Sequence, residues 1–130
     1  MADLRTVLLV EDDPDIQTIS IMALKTVGGL EVTVASSGQE ALDLVADTQP
    51  QLILLDVMMP GMDGPATLEI LKERDDTKDI PVVFITASVR PHEVDAYRKT
   101  GVIAVLPKPF DPMTLAEEVR AIYDEAMDRQ

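Results

Sequence analysis

Short apolar runs alternate five times along the chain with stretches whose apolar residues recur at helical spacing, and few folds accommodate that rhythm. Thr6–Val10 is the first run, and it stops at Glu11-Asp12-Asp13-Pro14. A continuous apolar run of this length is the pattern of a strand covered on both faces. From about Asp15, Ile16, Ile19, Met22, Ala23 and Val27 recur at helical spacing, until Gly28-Gly29 can end a helix by adopting positive φ. Leu30–Ala35 reads as a second strand, and Ser36-Ser37-Gly38 opens a helix over Gln39–Ala46 with Ala41, Leu42 and Val45 on its packed face. Leu52–Leu55 is a third strand ending at Asp56. After the Pro60-Gly61 loop comes a helix that packs through Leu68 and Leu71 with Lys72 facing solvent. Ile80–Ile85 and Val102–Leu106 are the fourth and fifth strands, separated by a polar helix from about Pro91 to Thr100 that Gly101 terminates, and a last helix runs from Pro112 to about Met127. Parallel neighbours need a crossover, usually helical, so this alternation predicts an α/β fold with a parallel sheet.

The 130 residues fit one domain spanning 1–130. No apolar run reaches the roughly 18 residues of a bilayer span, which predicts no membrane insertion. Met1-Ala2-Asp3-Leu4-Arg5-Thr6 leads into the first strand without the basic region, apolar core and cleavage site of a signal peptide, so the expected location is cytoplasmic. The absence of cysteine excludes thiol catalysis and thiolate metal sites. Eleven basic against 24 acidic residues give a net charge of −13. That field repels nucleic-acid phosphate and anionic lipid, and argues against direct nucleic-acid binding.

Ligands of open α/β sheets bind beyond the carboxyl ends of the strands. Strand 1 ends in Glu11, Asp12 and Asp13, strand 3 in Asp56, strand 4 in Thr86, and strand 5 leads into Lys108. Carboxylates gathered in one pocket repel one another unless a cation or proton offsets them. Mg²⁺ suits such a set, because it takes oxygen ligands and keeps several waters. A carboxylate such as Asp56 can attack phosphorus, while a lysine and a hydroxyl stabilise the transferring oxygens. Taken singly, each residue has an ordinary structural reading as helix cap, strand end or surface charge. Four strand ends together make coincidence a poor account.

Val10-Glu11-Asp12-Asp13-Pro14-Asp15, Leu55-Asp56-Val57-Met58-Met59-Pro60-Gly61-Met62-Asp63-Gly64, Ile85-Thr86-Ala87 and Lys108-Pro109-Phe110 resemble, in order and spacing, the signatures of response-regulator receiver domains. The resemblance implies a flavodoxin-like, doubly wound five-stranded parallel sheet of order 2-1-3-4-5 with helices on both faces. It implies phosphorylation at Asp56 and a Mg²⁺ site made by the acidic pair Glu11 and Asp12, by Asp56, and by the Met58 carbonyl. Thr86 would hydrogen-bond the phosphoryl group, Ala87 would leave it room, Lys108 would pair with another of its oxygens, and the Lys108–Pro109 peptide would be cis. The implied role is a phosphoacceptor switch rather than an enzyme with an external substrate. A sensor histidine kinase or histidine phosphotransfer protein would dock near helix 1, and output would pass by protein contact to a downstream target through helix 4, strand 5 and helix 5.

The sequence departs from the family pattern in strand 5, where Val105 stands in place of the usual aromatic three residues before the lysine. Switching coupled to Thr86 is then expected to rearrange residues 87–90 and the following helix instead of turning a ring at Val105. Asp13 reads as a helix cap, His92 as solvent-facing, Met58, Met59 and Met62 as packing side chains, and Tyr97 and Tyr123 as amphipathic surface or interface residues; Pro107 is assigned no chemistry. Three other functions compete. An aspartate-nucleophile phosphatase would need a second Asp where Met58 stands. A flavin binder would need a Ser/Thr/Gly-rich loop after strand 1, where this chain has acids. A receiver that binds partners without phosphorylation would be expected to lack some of Glu11, Asp12, Asp56, Thr86 and Lys108.

Overall fold

The structure is a computed structural model of the chain. It describes residues 3–88 and 90–129. The parts of the sequence reading that fall on Met1, Ala2 and Val89 lie outside the described residues. Five strands, β1 (Thr6–Val10), β2 (Glu31–Ala35), β3 (Leu52–Asp56), β4 (Val82–Thr86) and β5 (Ala104–Pro107), form one parallel sheet of order β2-β1-β3-β4-β5. This is the order the resemblance implied. The helices are α1 (Pro14–Ile21), continued by a π-helical segment Met22–Val27, then α2 (Gly38–Thr48), α3 (Gly64–Glu73), α4 (Pro91–Lys99) and α5 (Leu115–Asp128). Among the described residues, no helix is long and apolar enough to cross a membrane.

Successive strand residues point to opposite faces, and the core divides accordingly. Val7, Leu9, Leu52, Leu54, Val83 and Ile85 pack with Ala23 and Leu24 and with Leu115, Ala116, Val119 and Tyr123 of α5. Leu8, Val10, Ile53, Leu55, Val82 and Phe84 pack with Ala41, Leu42 and Val45 of α2 and Leu68 and Leu71 of α3. Every residue of β3 and β4 is buried. At about 1.5–3 kcal/mol for each fully buried large apolar side chain, these central strands dominate the stability of the fold.

Several boundaries and faces differ from the sequence reading. β4 begins at Val82 rather than Ile80, because Pro81 has no N–H to give the ladder. β5 begins at Ala104 rather than Val102 and includes Pro107, which pairs in register with Thr86. The missing proline donor is replaced one residue on, where the Lys108 N–H donates to the Thr86 carbonyl at 2.9 Å. α5 begins at Leu115 rather than Pro112, after Asp111 caps a preceding turn through the Met113 N–H.

The stripe expected on helix 1 divides. Ala23 turns inward with Ser20 and Leu24, while Ile19, Met22 and Val27 are exposed; the wider π-helical turn over Met22–Val27 rotates Val27 away from an α-helical stripe. Tyr123 is buried in the core, one and two turns along α5 from Val119 and Leu115, and not on the surface. Met59 is buried and Met62 half-buried, but the Met58 side chain is 74% exposed and does not pack. Tyr97 is half-buried, its ring meeting Phe84 edge-on at 5.3 Å between centroids. Among the described residues, α4 buries no side chain.

Candidate functional site

The strand order reverses between β1 and β3, and the crevice beyond their carboxyl ends is where ligands of such sheets bind. Glu11 follows β1, Asp56 closes β3, Thr86 closes β4, and Lys108 follows β5. Parallel register aligns these ends: Asp56 is opposite Ile85, and Thr86 opposite Pro107. Glu11, Asp56 and Thr86 are all buried.

One ammonium serves two carboxylates. Lys108 Nζ lies 2.6 Å from Glu11 Oε1 and 3.1 Å from Asp56 Oδ2. The other oxygen of each acid accepts from the backbone, Glu11 Oε2 from the Asp13 N–H at 3.1 Å and Asp56 Oδ1 from the Met58 N–H at 3.2 Å. Burial acts to lower the affinity of Lys108 for its proton, but hydrogen bonds and charge from Glu11 and Asp56 outweigh it and raise its pKa above the usual lysine value. Asp12, the most accessible acid of the group, completes a cluster with Glu11 and Asp56 whose oxygens lie within 4.8 Å of one another. Three carboxylates against one ammonium leave two formal negative charges, and all the donors are oxygens. That donor set fits a hard divalent cation such as Mg²⁺. Of the residues expected to hold it, Glu11 has both oxygens engaged, while Asp12 lies nearest to solvent.

The loops hold this arrangement through close backbone contacts. Asp13 caps α1 by accepting from the Asp15 N–H at 2.9 Å, and Asp63 caps α3 by accepting from the Ala66 N–H at 2.9 Å. Gly64, the first residue of α3, donates its N–H to the Val57 carbonyl at 3.0 Å. A Cβ there would meet the Asp56 carbonyl oxygen at 2.7 Å and Val57 Cα at 2.8 Å. Only glycine lets α3 start so close to the backbone that carries Asp56. The Lys108–Pro109 peptide is cis.

Thr86 Oγ1 accepts from the Ser88 N–H at 3.1 Å, and the Ser88 hydroxyl donates to Glu93 of α4. Ala87 is exposed beside the site, and Val105 is half-buried against the α2–α3 face of the sheet. His92 is exposed, 3.9 Å from Glu93. Two features escaped the sequence reading. Gln17 donates from Nε2 to the Glu11 carbonyl at 2.6 Å, a contact that a polar residue on a helix gives no sign of making. An apolar groove of about 390 Å³, lined by Ile16, Ile19, Ala87, Pro109, Phe110 and Pro112, runs beside Lys108. Ile16 and Ile19, which helical spacing assigns to the core-facing stripe, carry its signal in the sequence.

Residues 7–120 match the family model of the response regulator receiver domain. The chain belongs to the response-regulator receiver family. Receivers of this family are the phosphoacceptor switches of two-component signalling. This receiver is 35% identical over its whole length to Response regulator Rre1 of Synechocystis sp. and spans 54% of that protein. It is 39% identical over 92% of its length to the DNA-binding transcriptional regulator NtrC of Klebsiella pneumoniae, of which it spans 24%. The receiver thus spans about half or less of these curated relatives. Among solved structures, it is similar to the chemotaxis protein CheY4 of Vibrio cholerae at 28% identity and a TM-score of 0.84, covering 92% of this chain and 98% of that one.

Proposed function

We propose that this receiver takes a phosphoryl group on Asp56 in the presence of Mg²⁺ and signals through contact with another protein. The observation that carries the reading is the buried Asp56 carboxylate, paired with Lys108 and clustered with Glu11 and Asp12 at the switch point of the sheet. Asp12, Asp56 and the Met58 carbonyl would hold the ion directly, with Glu11 supporting it. When bound, Mg²⁺ neutralises charge on the transferring oxygens.

In the transfer, an Asp56 carboxylate oxygen forms a bond to phosphorus. The bond from phosphorus to the donor's imidazole nitrogen breaks, and that nitrogen keeps the electron pair. Lys108 then shifts from its pairing with Asp56 to a phosphoryl oxygen. The Thr86 hydroxyl accepts from Ser88, so its own proton is available for another. The protein supplies electrostatic positioning and no external substrate is turned over. A histidine kinase or histidine phosphotransfer protein is the donor, and the groove of Ile16, Ile19, Phe110 and Pro112 beside Lys108 offers it an apolar seat. A cytoplasmic site of action fits such a donor.

Output runs through α4, β5 and α5. Since Val105 carries no ring, a shift of Thr86 toward the phosphoryl group would act on Ser88 and, through it, on Glu93 and α4. Amide shifts along residues 87–90 and α4 that stay fixed on phosphorylation would refute this route. The central test is intact mass after incubation with a small phosphodonor, with and without Mg²⁺, for the wild type and Asp56→Asn. One Mg²⁺-dependent phosphoryl adduct, absent from the variant, is expected. An adduct that survives the substitution would overturn the assignment. No adduct from either a small donor or a histidine kinase would favour a receiver that binds partners unphosphorylated.

A further inference from the structure

We propose that Gln17 is a positioning residue for the carboxylate cluster, an inference that rests on the Mg²⁺ site described above. Gln17 stands on α1, half-buried. Its Nε2 donates to the Glu11 carbonyl at 2.6 Å and to Ser36 Oγ at 3.0 Å. The Glu11 carbonyl shares a planar peptide unit with the Asp12 N–H. Pinning that oxygen therefore fixes the plane from which Asp12 leaves the end of β1. On its other side the same residue is anchored through its N–H, which donates to the Ala35 carbonyl at 3.0 Å. Ser36 is fixed in turn, its N–H donating to Glu40 Oε1 at 2.8 Å. One amide group thus ties helix α1, the end of β1 and the β2–α2 loop at the point where the acidic pair emerges.

Glu11 makes the consequence sharper. Its side chain already holds Lys108 and the Asp13 N–H, so the Asp12 carboxylate is the acid of this pair left to reach an ion. Its direction depends on the peptide that Gln17 grips. Groups that orient metal ligands from behind commonly change metal affinity about tenfold or more when removed.

The test titrates Mg²⁺ into the whole chain, reading amide shifts or heat, and measures urea unfolding of each variant without Mg²⁺. Gln17→Leu keeps bulk and removes the donor. It is expected to weaken Mg²⁺ binding about tenfold, with an unfolding midpoint close to wild type. Gln17→Glu turns the donor into an acceptor and adds negative charge near the site. A purely electrostatic influence would tighten Mg²⁺ binding in that variant, whereas lost positioning weakens it, so weaker binding by Gln17→Glu supports the proposal. Mg²⁺ affinity within twofold of wild type in Gln17→Leu, or tighter binding in Gln17→Glu, would overturn it and leave Gln17 as a structural tie. A wild-type chain that binds no Mg²⁺ would instead refute the underlying reading of the site.

Discussion

Replacing Lys108 by methionine removes the one ammonium shared by two buried acids while keeping an apolar stem in place. The Lys108 side chain is 17% exposed and those of Glu11 and Asp56 are 3% and 5% exposed, so water has little room to take its part. Removing one partner of a buried ion pair costs about 3–5 kcal/mol. The Asp13 and Met58 N–H groups remain as partners, and either acid can escape by taking up a proton. Protonating an ordinary carboxyl group costs about 4 kcal/mol at pH 7 and about 1 kcal/mol at pH 5, which sets a ceiling on the penalty. The variant should therefore lose about 3–4 kcal/mol at pH 7 and only about 1 kcal/mol at pH 5. The sign follows from linkage, because the folded variant would hold a proton that its unfolded chain has released, and such a state gains stability as pH falls. Urea unfolding followed by circular dichroism at both pH values, without Mg²⁺, measures the gap to wild type. Added Mg²⁺ should narrow it by replacing the lost positive charge. A gap below about 1 kcal/mol at pH 7, as small as an exposed pair would give, or one independent of pH, would refute the reasoning.

Four further outcomes are expected. Because the pKa of Lys108 is raised above 10.5, its contribution to stability is complete below that pH and is lost as pH rises through the higher folded value; wild type should show this alkaline decline and Lys108→Met should not. Gly64→Ala drives a Cβ into backbone at 2.7 Å, and should cost about 1–3 kcal/mol in urea unfolding and weaken Mg²⁺ binding, because the backbone that yields carries Asp56. Asp13→Ala removes the α1 cap and should cost about 0.5–2 kcal/mol, visible as a lower midpoint in thermal unfolding. Ser20 is buried with a hydroxyl that has no hydrogen-bond partner among the described residues, so Ser20→Ala should raise stability by about 1 kcal/mol, and a loss would point to a partner such as an ordered water.

The strands were legible because both faces of the sheet are covered, which forces Val7–Val10 and Leu52–Leu55 to be apolar without interruption. Their ends were less so, since Ile80 and Val102 are apolar yet lie outside the ladder. Tyr123 shares the helical spacing of Leu115 and Val119, and that spacing places it in the core although its hydroxyl suits a surface position. The meeting of Glu11, Asp12, Asp56 and Lys108 could be anticipated from strand ends alone. What could not be anticipated was how they share partners. The Lys108–Glu11 contact joins residues 97 apart in sequence, and the Gln17 contact depends on where a helix meets a loop.

Because α4 buries no side chain among the described residues and leans on the sheet through the Tyr97–Phe84 ring contact, separating it from the sheet exposes little apolar surface. Opening free energies within one protein range from near zero to the global value, and segments with few buried contacts lie at the low end. Amide protons of α4 should accordingly exchange with solvent well ahead of those in β3 and β4, in the resting protein and without any phosphoryl group. The sheet can then remain fixed while this helix takes up different positions at low energetic cost, so that sequence change on its outer surface leaves the carboxylate cluster at the strand ends undisturbed.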